Sequence, residues 1–302
     1  TFYLMNKYGV FLMTKQWFHE TLYPTYCQSF KVETVLWKGK SSYQDVFIFE
    51  NKEFGKVMAL DGAVQFTTKD EFIYHEMITH VPLFAHGNVQ DVLIIGGGDG
   101  GVAREVLKHP NIRSVTLVEI DSFTIDLTKK YVPEIPQGVF EHPKLHLIID
   151  DGENFVKNSQ EAYDVIITDS NDPIGPSKVL FTETYYGYCK KLLRKKGILV
   201  VQNGDFFMQP KEYQTTFSHL QLLFRDVSFY LANVPTYIGS YMTLGFASDI
   251  EYRNLTLDTL NQRFAQTPIH TFYYHPSMHK ASFILPKAMQ EILDSLQNIT
   301  SP

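Results

Sequence analysis

Asp99 sits inside the glycine run Gly96-Gly-Gly-Asp-Gly-Gly101, directly after the apolar stretch Val92-Leu-Ile-Ile95. A helical stretch follows. The run contains a literal G-x-G-x-x-G at Gly96, Gly98 and Gly101, and Glu119 lies where an acid grips a ribose hydroxyl pair. The glycines let the backbone turn tightly and approach a ligand. Nucleotide and S-adenosyl ligands fit this much equally. Asp99 separates them. A pyrophosphate at this helix N-terminus would face the Asp99 carboxylate across a partly dry site. At an effective dielectric of about 20, that repulsion is roughly 4 kcal/mol at about 4 Å. A sulfonium or ammonium gains from the same carboxylate. A plain helix cap is the simpler role for Asp99.

A second acidic loop, Thr168-Asp-Ser-Asn-Asp-Pro-Ile-Gly-Pro176, follows the apolar run Tyr163 to Thr168. Its carboxylates are Asp169 and Asp172, and Pro173, Gly175 and Pro176 fix its course. A surface turn uses the same residue types, but it has no need of a strand end beside another acidic loop. Asp150-Asp151-Gly152 follows a third apolar run. Asp151 there suits an adenine amino group, and a simple turn explains the spacing equally well.

These residues need strand ends to position them. Val92–Ile95, Ser114–Val118, Leu145–Ile149, Tyr163–Thr168 and Gly197–Val201 read as strands buried on both faces. Helical stretches at Asp70–Phe84, Phe123–Tyr131 and Phe181–Leu193 precede or separate them. Such alternation predicts a parallel, doubly wound α/β sheet, with ligands at the carboxyl ends of its strands. Before residue 68 the pattern is different. Phe30–Trp37, Asp45–Glu50 and Lys56–Leu60 are strand-like. Turn signals stand at Gly39-Lys-Ser-Ser, Asn51–Gly55 and Asp61-Gly62. We expect a small antiparallel β domain over 1–68 and a catalytic domain over 69–302. Residues 251–302 read as helix, strand, helix. Residues 1–12 read as an extension, with Met13 a candidate start.

The chain of 302 residues is 44% hydrophobic and carries a net charge of −6. That supports a sizeable core and argues against a general nucleic-acid binder. No run of 18 uncharged apolar residues suggests a membrane span. The two cysteines, Cys27 and Cys189, form no disulfide framework and suit a cytoplasmic protein. His75 and His80 share no helix face well and lack a third partner, so no metal is assigned.

Taken in order, Tyr43-Gln-Asp45, Asp61-Gly62, Asp70-Glu-Phe-Ile-Tyr-His-Glu76, Gly96–Gly101, Val118-Glu-Ile-Asp121, Asp150-Asp-Gly152, Asp169–Pro176 and Pro235-Thr-Tyr237 resemble the spermidine synthase family, in its bacterial form, over about residues 14–290. The resemblance implies a Rossmann-like S-adenosylmethionine-dependent methyltransferase fold. It also implies aminopropyl transfer from decarboxylated S-adenosylmethionine, a co-substrate and not a cofactor, to a diamine, with putrescine the default.

By that resemblance Asp169 is the general base and contacts the diamine. The chemistry agrees, because the amine arrives protonated with a pKa near that of lysine, and attack needs its lone pair free. Tyr74, Asp172 and Tyr237 would flank the diamine, with Gln202 and Trp17 as further lining. Gln44, His75, Asp99, Glu119, Asp151 and Gly152 would bind the donor beside Gly96 and Gly98. Asp99 would take the aminopropyl amine and repel ordinary S-adenosylmethionine, which has a carboxylate there. The acidic loop is expected to order on binding and exclude water. The family assembles through its N-terminal β region, so a homodimer is expected, with a homotetramer as the alternative. Three rival readings remain: a methyltransferase on the same fold, a catalytically silent binder and an NAD-dependent oxidoreductase.

Overall fold

The computed structural model describes residues 16–173, 175–239 and 241–300. Residues 1–12, Met13 and Ile174 of the acidic loop lie outside them.

The chain opens with a hairpin, β1 (Gln16–His19) antiparallel to β2 (Ser29–Val32). A four-stranded antiparallel meander follows: β3 (Thr34–Lys40), β4 (Asp45–Asn51), β5 (Gly55–Leu60) and β6 (Ala63–Thr67). The expected single strand Phe30–Trp37 is therefore two. It bends at Glu33, whose N–H donates to the Glu50 carbonyl at 2.8 Å, and each half joins a different sheet. The strand also runs past the expected turn at Gly39. The turn itself forms at Ser41, whose hydroxyl accepts the Tyr43 and Gln44 N–H groups at 3.0 and 3.1 Å.

Alternation along β4 tells how this small domain is held. Phe47 and Phe49 face the hairpin, where they meet Phe18 and Phe30. Val46 and Ile48 face the other way and pack on Leu127, Val132 and Ile135 of the larger domain. Successive side chains of a strand point to opposite faces, so this one strand joins two cores. Each such buried side chain contributes about 1.5–3 kcal/mol.

Helix α1 (Glu71–His86) lies at the centre of the molecule, buried continuously from Ile73 to Ala85. Behind it stands a seven-stranded sheet: β7 (Asp91–Gly96), β8 (Ser114–Glu119), β9 (Leu145–Ile149), β10 (Tyr163–Asp169), β11 (Leu193–Asp205), β12 (Asp226–Ala232) and β13 (Met242–Ser248). Its order is β12-β13-β11-β10-β7-β8-β9. The flanking helices are α2 (Gly101–Leu107), α3 (Ser122–Tyr131), α4 (Gly152–Asn158), α5 (Glu183–Leu192), α6 (Pro210–Gln221), α7 (Leu257–Ala265), α8 (Pro276–Ser282) and α9 (Lys287–Thr300). Along β7, Val92 and Ile94 enter the core beneath α1, while Leu93 and Ile95 enter the core on the opposite face. The near-continuous apolar runs follow from that double burial.

Two expectations need correction. The sheet is mixed, not purely parallel, because β13 inserts antiparallel between β11 and β12. Residues 251–302 form helices α7, α8 and α9 after a short 3-10 turn, with no strand among the described residues. Between α7 and α8 the backbone N–H groups bond to a side chain and not to a neighbouring strand. The Phe272, Tyr273 and Tyr274 amides donate to the buried Glu76 carboxylate at 2.7–2.8 Å. The Tyr273–His279 segment thus ties the C-terminal helices to α1. No helix among the described residues is long and apolar enough to cross a membrane.

Candidate active site

The order of the sheet reverses between β7 and β10, which is where such sheets bind ligands. A cavity of about 230 Å³ opens there, roofed by the small β domain.

The glycine loop forms its floor. Gly96 has φ +84°, and a Cβ there would stand 2.0 Å from the Asp169 carbonyl oxygen. That approach lets the Gly97 N–H donate to the same oxygen at 3.0 Å. A Cβ on Gly98 would stand 2.8 Å from the Glu119 carboxylate. Gly96 is closed to a larger residue, while one at position 98 would have to displace the Glu119 side chain.

Asp99 stands just before the N-cap residue of α2, Gly100, and meets the first helical amide. One carboxylate oxygen accepts the Gly101 N–H at 2.7 Å, and the other lies 3.2 Å from His75 Nε2. The Nδ1 of His75 bonds to Glu71, which also takes the Arg104 guanidinium at 2.9 and 3.1 Å. Burial alone would discharge His75. The carboxylates of Asp99 and Glu71 outweigh it and raise the ring's pKa to about 10. Burial likewise opposes charge on Asp99, but His75 and the Gly101 amide prevail and hold it below the usual carboxylate range.

Asp169 ends β10 with its carboxylate in the cavity. The Tyr74 hydroxyl donates to Oδ1 at 2.6 Å. Burial, then the nearby Asp99 charge, raises the Asp169 pKa to about 6. Tyr237 packs against Tyr74 edge-on, with ring centroids 5.9 Å apart. Its hydroxyl donates to the Gln65 carbonyl at 2.6 Å. Its loop is anchored by buried Asp70, which accepts the Thr236 N–H and hydroxyl at 3.0 and 2.8 Å. Asp172 accepts Gln202 Nε2 at 3.4 Å, and burial raises its pKa.

On the other side, Glu119 ends β8 and accepts the Asp121 N–H at 2.8 Å. Burial raises its pKa to about 7. Gln44 reaches in from the small domain, donating to Asp121 and Thr124 at 3.2 and 3.1 Å. Its Oε1 accepts from Asn171 of the acidic loop at 3.3 Å. Asp151 caps α4 through the Asn154 N–H at 2.9 Å, and with Gly152 it also lines the cavity. The turn reading and the site reading of Asp151 therefore coexist.

Of the expected residues, all but one line this cavity. Trp17 does not. It stands 49% exposed on β1, because the strand's alternation turns Phe18 inward. Glu20, three residues on, takes the wall position instead. His75 lines the cavity, and its two ring nitrogens lie within hydrogen-bond distance of the Glu71 and Asp99 carboxylates. His80 is a separate matter, bonded to His109 and Glu105 at 3.0 and 3.1 Å. The side chains of residues 175 and 176 lie outside what is described.

Glu20, Tyr23, Gln65 and Asp205 line the cavity and were not singled out from the sequence. Asp205 carried a usable signal, since it ends the strand that begins as Gly197–Val201. Glu20 carried none, because its place in the wall depends on distant packing, including its bond to the Val64 N–H, 44 residues away.

A doubly wound sheet with an acidic crevice at its reversal point defines an α/β protein whose ligand site lies at the carboxyl ends of its strands. Residues 71–257 match the spermine/spermidine synthase domain, and residues 16–68 match the spermidine synthase tetramerisation domain. The chain belongs to the spermine/spermidine synthase family. Among its relatives, polyamine aminopropyltransferase 1 of Pseudomonas aeruginosa is 49% identical over 93% of this chain and 99% of its own. The polyamine aminopropyltransferase of Yersinia pseudotuberculosis is 49% identical over 94% of this chain and 96% of its own. A crystal structure of a spermidine synthase in complex with the transition state analogue AdoDATO superposes with a TM-score of 0.86 at 34% identity, covering 93% of this chain and 96% of that one. The spermidine synthase of Thermotoga maritima gives 0.85 at 33% identity, over 93% and 95%.

Proposed function

We propose that the chain is a polyamine aminopropyltransferase that moves the aminopropyl group of decarboxylated S-adenosylmethionine onto putrescine. The products are spermidine and 5′-methylthioadenosine. The observation that carries this reading is the half-buried Asp169, bonded through its side chain to Tyr74 and through its backbone to the glycine loop.

Glu119 would take the donor's ribose hydroxyls, and Asp151 with Gly152 its base. Gln44, Gly96 and Gly98 would close around the nucleoside. Asp99, steadied by His75, would hold the aminopropyl amine. The diamine would lie between Tyr74 and Tyr237, which can meet its cationic end through their rings. Asp169 receives one proton from the acceptor ammonium. The freed lone pair forms the new C–N bond at the carbon next to sulfur. The C–S electrons return to sulfur and cancel its positive charge. Positioning and charge complementarity supply most of the acceleration. The reading needs no cofactor, metal, nucleic acid or membrane.

A small-molecule enzyme of this composition suits the cytoplasm. The match of residues 16–68 to a tetramerisation domain supports an oligomer; a homodimer or a homotetramer satisfies it.

Donor choice tests the reading against a methyltransferase. Incubation of the protein and putrescine with either decarboxylated or ordinary S-adenosylmethionine should give spermidine and 5′-methylthioadenosine from the first alone. Methylated putrescine from the second would refute it.

A further inference from the structure

A row of oppositely charged groups runs from Asp99 into the protein. His75 Nε2 lies 3.2 Å from one Asp99 oxygen, and its Nδ1 bonds to Glu71, one helical turn earlier. Glu71 accepts from both terminal nitrogens of Arg104 at 3.1 and 2.9 Å. The Arg104 Nε donates to Glu105 at 2.8 Å. Glu105 is 1% exposed and ends the row on Lys108 at 2.6 Å and His80 at 3.1 Å. Arg104 is itself 8% exposed, and its guanidinium also donates to the Ile135 carbonyl at 2.7 Å. The row ties α1, through Glu71 and His75, to the glycine loop and to α2. His75 and Asp99 line the cavity; Glu71 and Arg104 stand behind them, outside it.

The last glycine of the loop serves this row. A Cβ on Gly101 would stand 2.3 Å from the His75 ring, so a bare backbone there makes room for the histidine. Asp99 uses one acceptor site on the Gly101 N–H at 2.7 Å and another on His75. An ionised carboxylate has about four such sites, and the others are left for the cavity. A buried ion pair adds little net stability over apolar side chains, because desolvation offsets the attraction. Its use here is to specify geometry: each charge in the row is held by the next, and the row stops at the cavity wall.

We propose that the Glu71–Arg104 pair is a positioning element for the donor: through His75 it fixes the Asp99 carboxylate that receives the donor's primary amine. This inference rests on the aminopropyl-transfer reading and adds to donor recognition two residues that never touch the donor. Arg104 suits the task because its planar fork meets both oxygens of Glu71 while its Nε reaches Glu105. A lysine, a point charge on a flexible stem, cannot do both. Removing one member leaves its neighbours buried and unpaired, and the disturbance reaches the amine site through His75.

The test compares wild-type protein with Glu71→Gln and Arg104→Lys, with putrescine as acceptor. Two quantities are read: the KM of decarboxylated S-adenosylmethionine, and the calorimetric Kd of 5′-methylthioadenosine, which shares its nucleoside and lacks the amine. Thermal unfolding of each variant is recorded first, and Arg104→Lys carries the test alone should Glu71→Gln not fold. Glu71→Gln should raise the donor KM by about tenfold to a hundredfold, as loss of a charged hydrogen bond does, and leave the 5′-methylthioadenosine Kd and the putrescine KM within about twofold. Arg104→Lys keeps the charge without the fork and should raise the donor KM in the same selective way, by less. A merely structural role would weaken both nucleosides together. A donor KM unchanged in the folded variants, or 5′-methylthioadenosine weakened as much as the donor, overturns the proposal while leaving transfer by the wild type intact. Wild-type protein that makes no spermidine would overturn both.

Discussion

The backbone carbonyl of Asp169 accepts the Gly97 amide at 3.0 Å, so the end of β10 and the glycine loop form one hydrogen-bonded unit. The contact falls where the sheet order reverses. The residue proposed to take the proton is fixed relative to the loop proposed to hold the donor. Reacting groups held in this way gain the benefit of orientation before any chemistry begins.

Gly96→Ala should break that unit. The backbone there has φ +84°, and the new methyl would meet the Asp169 carbonyl at 2.0 Å. A strained backbone of this kind costs on the order of 1–3 kcal/mol. We expect a lower melting temperature and a donor KM raised more than the acceptor KM. Calorimetric unfolding and two-substrate kinetics would check both.

Tyr74→Phe removes the 2.6 Å bond to Asp169 and leaves the ring packing in place. A hydrogen bond to a charged group contributes about 1.5–3 kcal/mol, so kcat/KM for the diamine should fall about tenfold or more. The hydroxyl favours the ionised carboxylate and partly offsets the rise in its pKa. Without it the acid limb of the pH profile should move upward. A limb that moves downward would contradict this role.

For the wild-type protein, kcat/KM should fall as the pH drops below about 6, where the Asp169 carboxyl takes a proton. Burial and the neighbouring Asp99 raise this pKa, so the active, ionised form dominates above it. The kcat/KM profile reports the free protein. Asp99 and Asp169 interact, so the limb belongs to the pair. Glu119, raised to about 7 by burial, should broaden the limb when donor is limiting. Rate profiles at saturating and limiting donor would separate the two.

His75 should appear in stability as well as in catalysis. Its folded pKa of about 10 lies above the ordinary histidine value of 6.5. Its contribution is therefore complete below about pH 6.5 and is lost as the pH rises through 10. His75→Gln keeps a hydrogen-bonding side chain but no charge. The gap in melting temperature between wild type and variant should be wide at pH 7 and narrow toward pH 10.

Much of this was legible in the residues, for a physical reason. The glycine loop, Glu119, Asp151 and Asp169 each follow a run of apolar residues at a strand end, so strand and site are contiguous in sequence. The placement of Asp99 pointed to a cationic ligand. What stayed hidden depends on distant pairings. The antiparallel insertion of β13 is a choice between neighbours in space. The course of Phe272–Tyr274 is set by Glu76, about 200 residues earlier, which takes its amides. Trp17 and Glu20 lie on a hairpin whose facing was set by Phe18 and Phe30. Only the packed structure shows that the acid, and not the tryptophan, meets the cavity. His75 could be matched to a donor site, but Glu71 lies one helical turn before it and claims the ring.

The central claim is that Asp169 takes the proton from the attacking amine. The most direct test is single-turnover kinetics of Asp169→Asn with decarboxylated S-adenosylmethionine and putrescine, beside calorimetric binding of 5′-methylthioadenosine. Asn preserves shape and the Tyr74 contact but is a far poorer base. We predict nucleoside binding within about threefold of wild type and a transfer rate lower by about a hundredfold or more, the usual range for loss of a general base. Transfer at the wild-type rate with nucleoside bound would contradict the account.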